Sequence, residues 1–183
     1  MVLGFGIETD IRDLDGTLVI SHDPATRQAA APTTADLFEA YSLDGKNLPL
    51  ALNIKADGLQ VPLLKILREY EVENYFVFDM SVPDMAQYLR SGFRVFSRHS
   101  EHENPPARYQ KVEGIWLDAF ESEWFGPDII EQHLAAGKEV AVVSPELHGR
   151  DRFPQWEALK PLNHLDILMC TDHPDEAKEY LNG

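Results

Sequence analysis

Cysteine is the scarcest residue of the sequence: Cys170 stands alone among 183 residues. A lone cysteine excludes a disulfide framework within the chain and is compatible with a reducing compartment, so we expect a cytoplasmic protein. The thiol lies in the apolar run DILMC, which predicts a buried structural residue rather than a nucleophile.

Long apolar runs are missing as well. The sequence has no stretch of about 18 consecutive apolar residues, so we predict no transmembrane segment. The first residues, MVLGFGIETD, have neither the basic region nor the apolar core of a signal peptide.

Positive charge is scarce. Sixteen Lys and Arg stand against 31 Asp and Glu, for a formal net charge of −15. Such a surface repels nucleic-acid phosphates over a Debye length, so we exclude nucleic acid as a partner. An anionic small-molecule substrate requires a local reversal of this field, and a divalent cation can supply it.

Short β-rich runs alternate with helical patterns along the whole chain, which implies parallel βα units. The predicted helices are Thr33–Tyr41, a segment with Leu63, Ile66, Leu67 and Tyr70 on one face, Asp84–Arg90, Pro127–Ala136 and Asp175–Leu181. The predicted strands are Gly6–Arg12, Thr17–His22, Leu48–Lys55, Tyr75–Met80, Phe93–Ser97, Gly114–Asp118, Glu139–Ser144 and Asp166–Cys170.

The second predicted strand differs from the rest. Asp15-Gly16 separates it from the first strand and is a hairpin signal, so this piece should run antiparallel. Setting it aside leaves seven strands in βα alternation, one fewer than a closed (β/α) barrel contains. With 44% hydrophobic residues and no linker or repeat, the sequence predicts a single domain over residues 1–183.

Two strands carry polar pairs with the chemistry of a cation site. Glu8 and Asp10 are two apart on the first strand, so their carboxylates share a face and suit Mg²⁺ or Ca²⁺. The hairpin returns His22 toward them. Asn53 and Lys55 are likewise two apart at the end of the next parallel strand, the end that faces active sites in such folds. Taken singly, these pairs are also typical of a polar strand end and of a lysine that reaches the rim.

Taken together, these residues resemble the glycerophosphodiester phosphodiesterase family. The pattern is Glu-x-Asp at position 8, the Asp-Gly turn, His22-Asp23, and Ile-Lys ending at position 55. The last segment, MCTDHPDEAKEYL, is similar to the family's final strand and closing helix. The resemblance spans nearly the whole chain; its motifs are specific in the first third and weak in the middle.

The resemblance implies a TIM-type (β/α) barrel and metal-dependent hydrolysis of a glycerophosphodiester or a similar phosphodiester of lipid metabolism. Glu8, Asp10 and Asn53 match the metal ligands, although the third ligand is usually a glutamate. His22 matches the histidine that protonates the leaving alkoxide, and Lys55 offsets charge on the phosphoryl oxygens. The implied cofactor is Mg²⁺ or Ca²⁺.

One family motif has no counterpart. The family begins with His-Arg-Gly, whose histidine activates the nucleophile, and nothing before Glu8 matches it. We therefore expect an incomplete barrel of seven βα units, either a fragment or a shortened and inactive relative. The alternative function is a non-catalytic barrel that binds a phosphorylated or polyol ligand. Open strand edges would then favour self-association.

Other strand ends also carry polar groups. Weaker candidates for substrate binding are Arg98, Asp118 and Glu146, and further polar residues at strand ends are Asp79 and Asp172. Arg98 and His99 lie either against a phosphate or in a solvated loop.

The run DLDGTL, residues 13–18, matches the DxDGT motif of haloacid-dehalogenase-like phosphatases. That motif needs a buried apolar strand before it, and the polar ETDIR makes this alternative the least favoured.

Overall fold

The computed structural model describes residues 4–28, 31–44 and 47–183. The chain divides into two compact units, Met1–Val95 and Phe96–Gly183. Each unit contains a four-stranded sheet and three α-helices. The prediction of a single domain over 1–183 stays a prediction.

The first unit is built on one mixed sheet. Its strands are β1 (Ile7–Leu14), β2 (Thr17–Ile20), β3 (Leu50–Ile54) and β4 (Tyr75–Phe78), in the order β2-β1-β3-β4. β1, β3 and β4 run parallel, and β2 pairs antiparallel with β1. The helices of this unit are α1 (Thr34–Asp44), α2 (Gln60–Glu69) and α3 (Val82–Arg90).

The predicted hairpin is confirmed. Leu14 pairs with Thr17 across the turn. Asp15 and Gly16 have φ values of 51° and 83°, the left-handed pair that a tight two-residue hairpin turn requires. Helix α1 is capped at Thr33, whose hydroxyl accepts from the Asp36 amide while the Asp36 carboxylate accepts from the Thr33 amide, a reciprocal capping arrangement.

The second unit is built on an all-parallel sheet. Its strands are β5 (Phe96–His99), β6 (Gly114–Leu117), β7 (Glu139–Val143) and β8 (Ile167–Cys170), adjacent in chain order. The α-helices are α4 (Pro127–Ala135), α5 (Phe153–Leu159) and α6 (Pro174–Asn182), with 3₁₀ turns at Pro145–His148 and Lys160–Leu162. The two sheets together contain seven parallel strands within the described residues, as predicted.

Two predictions of local structure need correction. The strand predicted at Phe93–Ser97 is observed at Phe96–His99. Its end was missed because Arg98 and His99 are polar, yet both belong to the strand and His99 is only 6% exposed. Helix α5 was not predicted, since its seven residues contain a proline and show too few turns for a periodic pattern. Within the three described ranges, no helix has the length and apolarity that a membrane crossing needs.

β8 lies at the edge of the second sheet. Its four residues are all half-buried, whereas the four residues of β6 are all buried. An edge strand with accessible apolar side chains can pair with another chain. Self-association through open edges stays a prediction.

Gly114 lies directly against the ring of Phe96 in the second sheet. A Cβ at this position would lie 2.4 Å from two atoms of the Phe96 ring. We expect Gly114→Ala to lower the free energy of unfolding by about 1–3 kcal/mol, because a buried aromatic ring has to move. Urea denaturation measures the loss. Gly126→Ala is the control, since its nearest neighbour is an Asp128 carboxylate oxygen at 3.3 Å; equal losses in both variants would contradict the prediction.

Candidate functional site

The parallel register of β1 and β3 brings the predicted cation ligands together. Asp10 lies opposite Asn53 in the ladder, and Glu8 lies two residues before Asp10 on the same face. The side chains of Glu8 and Asn53 are hydrogen-bonded to each other. The structure therefore places Glu8, Asp10 and Asn53 side by side, and their role as cation ligands stays a prediction.

The surroundings of Glu8 disfavour the charged form of its carboxyl. Partial loss of water around the carboxyl raises its pKa above the ordinary value, and the nearby charge of Asp10 raises it further. The hydrogen bond with Asn53 and the charge of Lys55 act in the opposite direction but do not cancel the shift. A positive ion beside Glu8 and Asp10 would relieve this repulsion.

Asn53 has an unused acceptor. Its side-chain oxygen is buried and has no hydrogen-bond partner among the described residues. A buried polar atom without a partner is unfavourable, and an amide oxygen is a suitable ligand for Mg²⁺ or Ca²⁺. No group of three or more His, Cys, Asp and Glu in residues 4–28, 31–44 and 47–183 has the spacing of a metal site. A cation here would therefore depend on the amide of Asn53 to complement two carboxylates.

Lys55 lies between two acids. Its backbone N–H donates to the Ile11 carbonyl, 3.0 Å away, directly after β3. Its Nζ lies 2.9 Å from Asp79 Oδ2 and 3.6 Å from Asp10 Oδ1. All three side chains are largely buried, with exposed fractions of 19% for Lys55, 14% for Asp79 and 21% for Asp10. The lysine thus has the charged partners that a lysine at this depth requires.

Asp79 adopts an unusual backbone conformation. It follows β4 directly and has a φ of 68°, in the left-handed region that costs a residue with a Cβ roughly 1 kcal/mol. Aspartate tolerates this region better than most residues. The sequence indicated Asp79 only as one polar strand end among several, because its contact with Lys55 spans 24 positions in the chain.

His22 follows the hairpin and has an exposed side chain. Ser21 N–H donates to the Asp10 carbonyl over 3.2 Å, so the chain does return to β1. The His22 side chain is 74% exposed, and its Nδ1 lies 3.1 Å from Asp23 Oδ1. The backbone thus returns as predicted, while the imidazole is held by Asp23.

The weaker candidates lie at the carboxyl ends of the second sheet, and each is already engaged. Arg98 pairs with Glu103 and lies 5.2 Å from the centre of the Phe120 ring. Glu146 accepts hydrogen bonds from the hydroxyls of Ser144 and Thr171. Burial acts to raise the pKa of Glu146, but these hydrogen bonds outweigh it and hold the pKa below its usual value. Their predicted role in substrate binding stays a prediction.

Asp118 is paired with His148. The imidazole Nε2 lies 2.6 Å from Asp118 Oδ1, and the exposed fractions are 23% for the histidine and 8% for the aspartate. A carboxylate at Nε2 favours the tautomer protonated there and leaves Nδ1 as the basic nitrogen. Sequence reasoning noted Asp118 but missed this pair, for which the proximity of His148 to the end of β7 was the available signal.

A second pair of histidines is buried in the same unit. His99 Nδ1 lies 3.0 Å from His133 Nε2, and His133 Nδ1 lies 2.9 Å from the Tyr109 hydroxyl. Burial, together with the neighbouring His99, lowers the pKa of His133 to about 4. The expectation that His99 lies in a solvated loop is wrong, because His99 belongs to β5 and its side chain packs against Trp124 inside the unit. Contact of this residue with a phosphate stays a prediction.

The DxDGT-like run forms the hairpin instead of a phosphatase loop. Asp13 pairs with Leu18 across the two strands, and Asp15 in the turn is bound by Arg27 at 2.7 Å. Neither carboxylate is presented by a buried strand. The structure therefore favours the interpretation of this match as coincidence.

The chain is similar in fold to several solved structures. One from Galdieria sulphuraria, provisionally described as a glycerophosphodiester phosphodiesterase, matches with a TM-score of 0.76 and 17% identity over 98% of this chain and 86% of that chain. A glycerophosphodiester phosphodiesterase from Parabacteroides distasonis matches with a TM-score of 0.72 and 14% identity over 97% and 84%. One from Agrobacterium tumefaciens gives 0.64 and 15% over 97% and 87%.

Sequence comparison adds no further match. No protein-family model and no curated protein matches the chain. Since the structural identities are low, the likeness is one of fold, and it confirms the predicted TIM-type α/β fold class.

Proposed function

We propose that this chain is a glycerophosphodiester phosphodiesterase-like protein that acts on a small phosphodiester with the help of a divalent cation. The observation that carries the proposal is the meeting of Glu8 and Asp10 on β1 with Asn53 and Lys55 at the carboxyl end of the adjacent parallel strand β3. Solved phosphodiesterases with the same fold support it.

Each residue has a definite task in the proposed reaction. Glu8, Asp10 and Asn53 would hold Mg²⁺ or Ca²⁺, which when bound supplies positive charge against the phosphate. The ammonium of Lys55 stabilises negative charge that develops on the phosphoryl oxygens. A water molecule would attack phosphorus and lose its proton to solvent, while His22 would protonate the leaving alkoxide. With its imidazole largely in solvent and held by Asp23, His22 is a poorly positioned acid, so we expect slow turnover.

A second candidate function is binding without catalysis. It is favoured by the exposure of His22 and by an amide, Asn53, at the position of a third anionic ligand. In that case the site would take a phosphorylated or polyol ligand through the cation and Lys55. Both candidates need the same cluster, so a kinetic measurement has to separate them.

Hydrolysis of glycerophosphocholine, followed by ³¹P NMR with Mg²⁺ or Ca²⁺, tests the proposal. We expect slow, cation-dependent hydrolysis, and Lys55→Met should lower kcat about 100-fold because charge at the phosphoryl oxygens is no longer offset. Lys65→Met is the control, since Lys65 is an exposed lysine of α2.

Three outcomes separate the candidates. A fall in kcat that occurs in Lys55→Met and not in Lys65→Met supports hydrolysis at this site. Cation-dependent binding of the phosphodiester without any turnover supports the second candidate. Hydrolysis that is indifferent to the cation and to Lys55→Met contradicts both.

A further inference from the structure

Lys55 and a divalent cation would compete for the same carboxylate. Asp10 is a proposed cation ligand, and it is also one of the two acids beside the Lys55 ammonium. An ammonium that hydrogen-bonds to a carboxylate occupies its lone pairs and cancels its charge, which weakens that carboxylate as a ligand. A site that uses both positive groups therefore has to keep Lys55 off Asp10.

In the structure, the Lys55 ammonium is hydrogen-bonded to Asp79 and not to Asp10. Lys55 Nζ lies 2.9 Å from Asp79 Oδ2, which is a hydrogen-bonding distance. The 3.6 Å from Nζ to Asp10 Oδ1 is too long for a hydrogen bond. The ammonium is thus fixed on the acid that follows β4, and the lone pairs of Asp10 stay available.

The left-handed backbone after β4 does not by itself explain why residue 79 is an aspartate. Glycine is the residue most often found in the left-handed conformation, because it has no Cβ to clash. Position 79 adopts this conformation with an aspartate. Glycine, asparagine and aspartate all accept this backbone, so the turn by itself does not single out a carboxylate. The contact with Lys55 gives one, because the left-handed conformation is where this carboxylate meets the ammonium.

We propose that Asp79 is a positioning residue, which holds Lys55 away from Asp10 so that the ammonium and a divalent cation can act on one phosphate group. The inference rests on the proposed function for the phosphate, but its consequence for cation affinity is measurable without substrate. Asp79 acts through Lys55 and is not itself a ligand.

A double-mutant cycle tests this role. Calorimetric titration with Mg²⁺ and with Ca²⁺ is carried out on the wild type, Asp79→Asn, Lys55→Met and the double variant. Asparagine tolerates the left-handed backbone, so the fold is preserved. We expect Asp79→Asn to weaken cation binding about tenfold in the wild type, and by less than about threefold when Lys55 is already methionine.

Asp57→Asn is the matched control. Asp57 is a nearby carboxylate that accepts a hydrogen bond from Ser81 over 3.0 Å, and its loss should leave cation affinity within about twofold. An equal effect of Asp79→Asn in both backgrounds would overturn the positioning role and make Asp79 a ligand. No effect in either background would also overturn it.

A crystal structure of Asp79→Asn separates failure of this inference from failure of the proposed function. We expect Lys55 Nζ to move within hydrogen-bonding distance of Asp10. If it stays where it is, the inference is wrong whatever the cation does. If the wild type binds neither cation, the proposed function fails, and the position of Nζ still decides whether Asp79 fixes Lys55.

Discussion

Saturating Mg²⁺ or Ca²⁺ should raise the melting temperature of the wild-type chain by roughly 5–10 °C. A ligand present at about 100 times its dissociation constant stabilises the folded state by about 2.7 kcal/mol, and each kcal/mol shifts the melting temperature of a protein of this size by about 2–4 °C. The physical source is the repulsion between Glu8 and Asp10 and the unused oxygen of Asn53, all of which the cation relieves.

The effect should depend on the proposed ligands alone. Glu8→Gln and Asp10→Asn are expected to abolish the shift, which differential scanning calorimetry measures. Asp13→Asn is the matched control, because Asp13 lies on the same strand but on the opposite face from Glu8 and Asp10. A shift that survives in Glu8→Gln, or one that disappears in Asp13→Asn, would show that the cation binds elsewhere.

Acid should destabilise the second unit through its buried histidine pair. His133 has a pKa of about 4 in the folded chain against 6.5 for an ordinary histidine. The unfolded chain therefore binds the proton more readily, and stability is full above pH 6.5 and declines as the pH falls from 6.5 to 4. A difference of this size corresponds to roughly 3 kcal/mol, because one pKa unit is about 1.4 kcal/mol.

Substitution of the histidine should flatten this part of the pH profile. In His133→Gln, urea denaturation between pH 7 and about 4.5 should show a smaller loss of unfolding free energy than in the wild type. His164→Gln is the control, since His164 is exposed, and it should retain the wild-type slope. Equal slopes in the wild type and His133→Gln would mean that the burial of this pair does not control acid stability.

The part of the site that the sequence predicted follows from strand geometry. A period of two puts Glu8 with Asp10 and Asn53 with Lys55, and parallel pairing of β1 with β3 brings Asp10 beside Asn53. These rules need only local pattern and strand order. The same rules, with the Asp-Gly turn, predicted the hairpin and the seven parallel strands.

The contacts that sequence reasoning missed are those between distant loops. Asp79 meets Lys55 across 24 positions, Asp118 meets His148 across 30, and His99 meets His133 across 34. Nothing in a local pattern says which of several strand-end acids is turned toward a given lysine or histidine. The exposure of His22 was missed for a related reason, because the path of the chain after β2 decides where its ring points.

The left-handed backbone after β4 has a consequence for natural variation. Among related chains, the residue at this position should be drawn mainly from Asp, Asn and Gly, the types that accept the conformation. Orthologues with Asn or Gly there would keep the bend and lose the acid. In such orthologues the residue equivalent to Lys55 should be replaced more often than in chains that keep the aspartate.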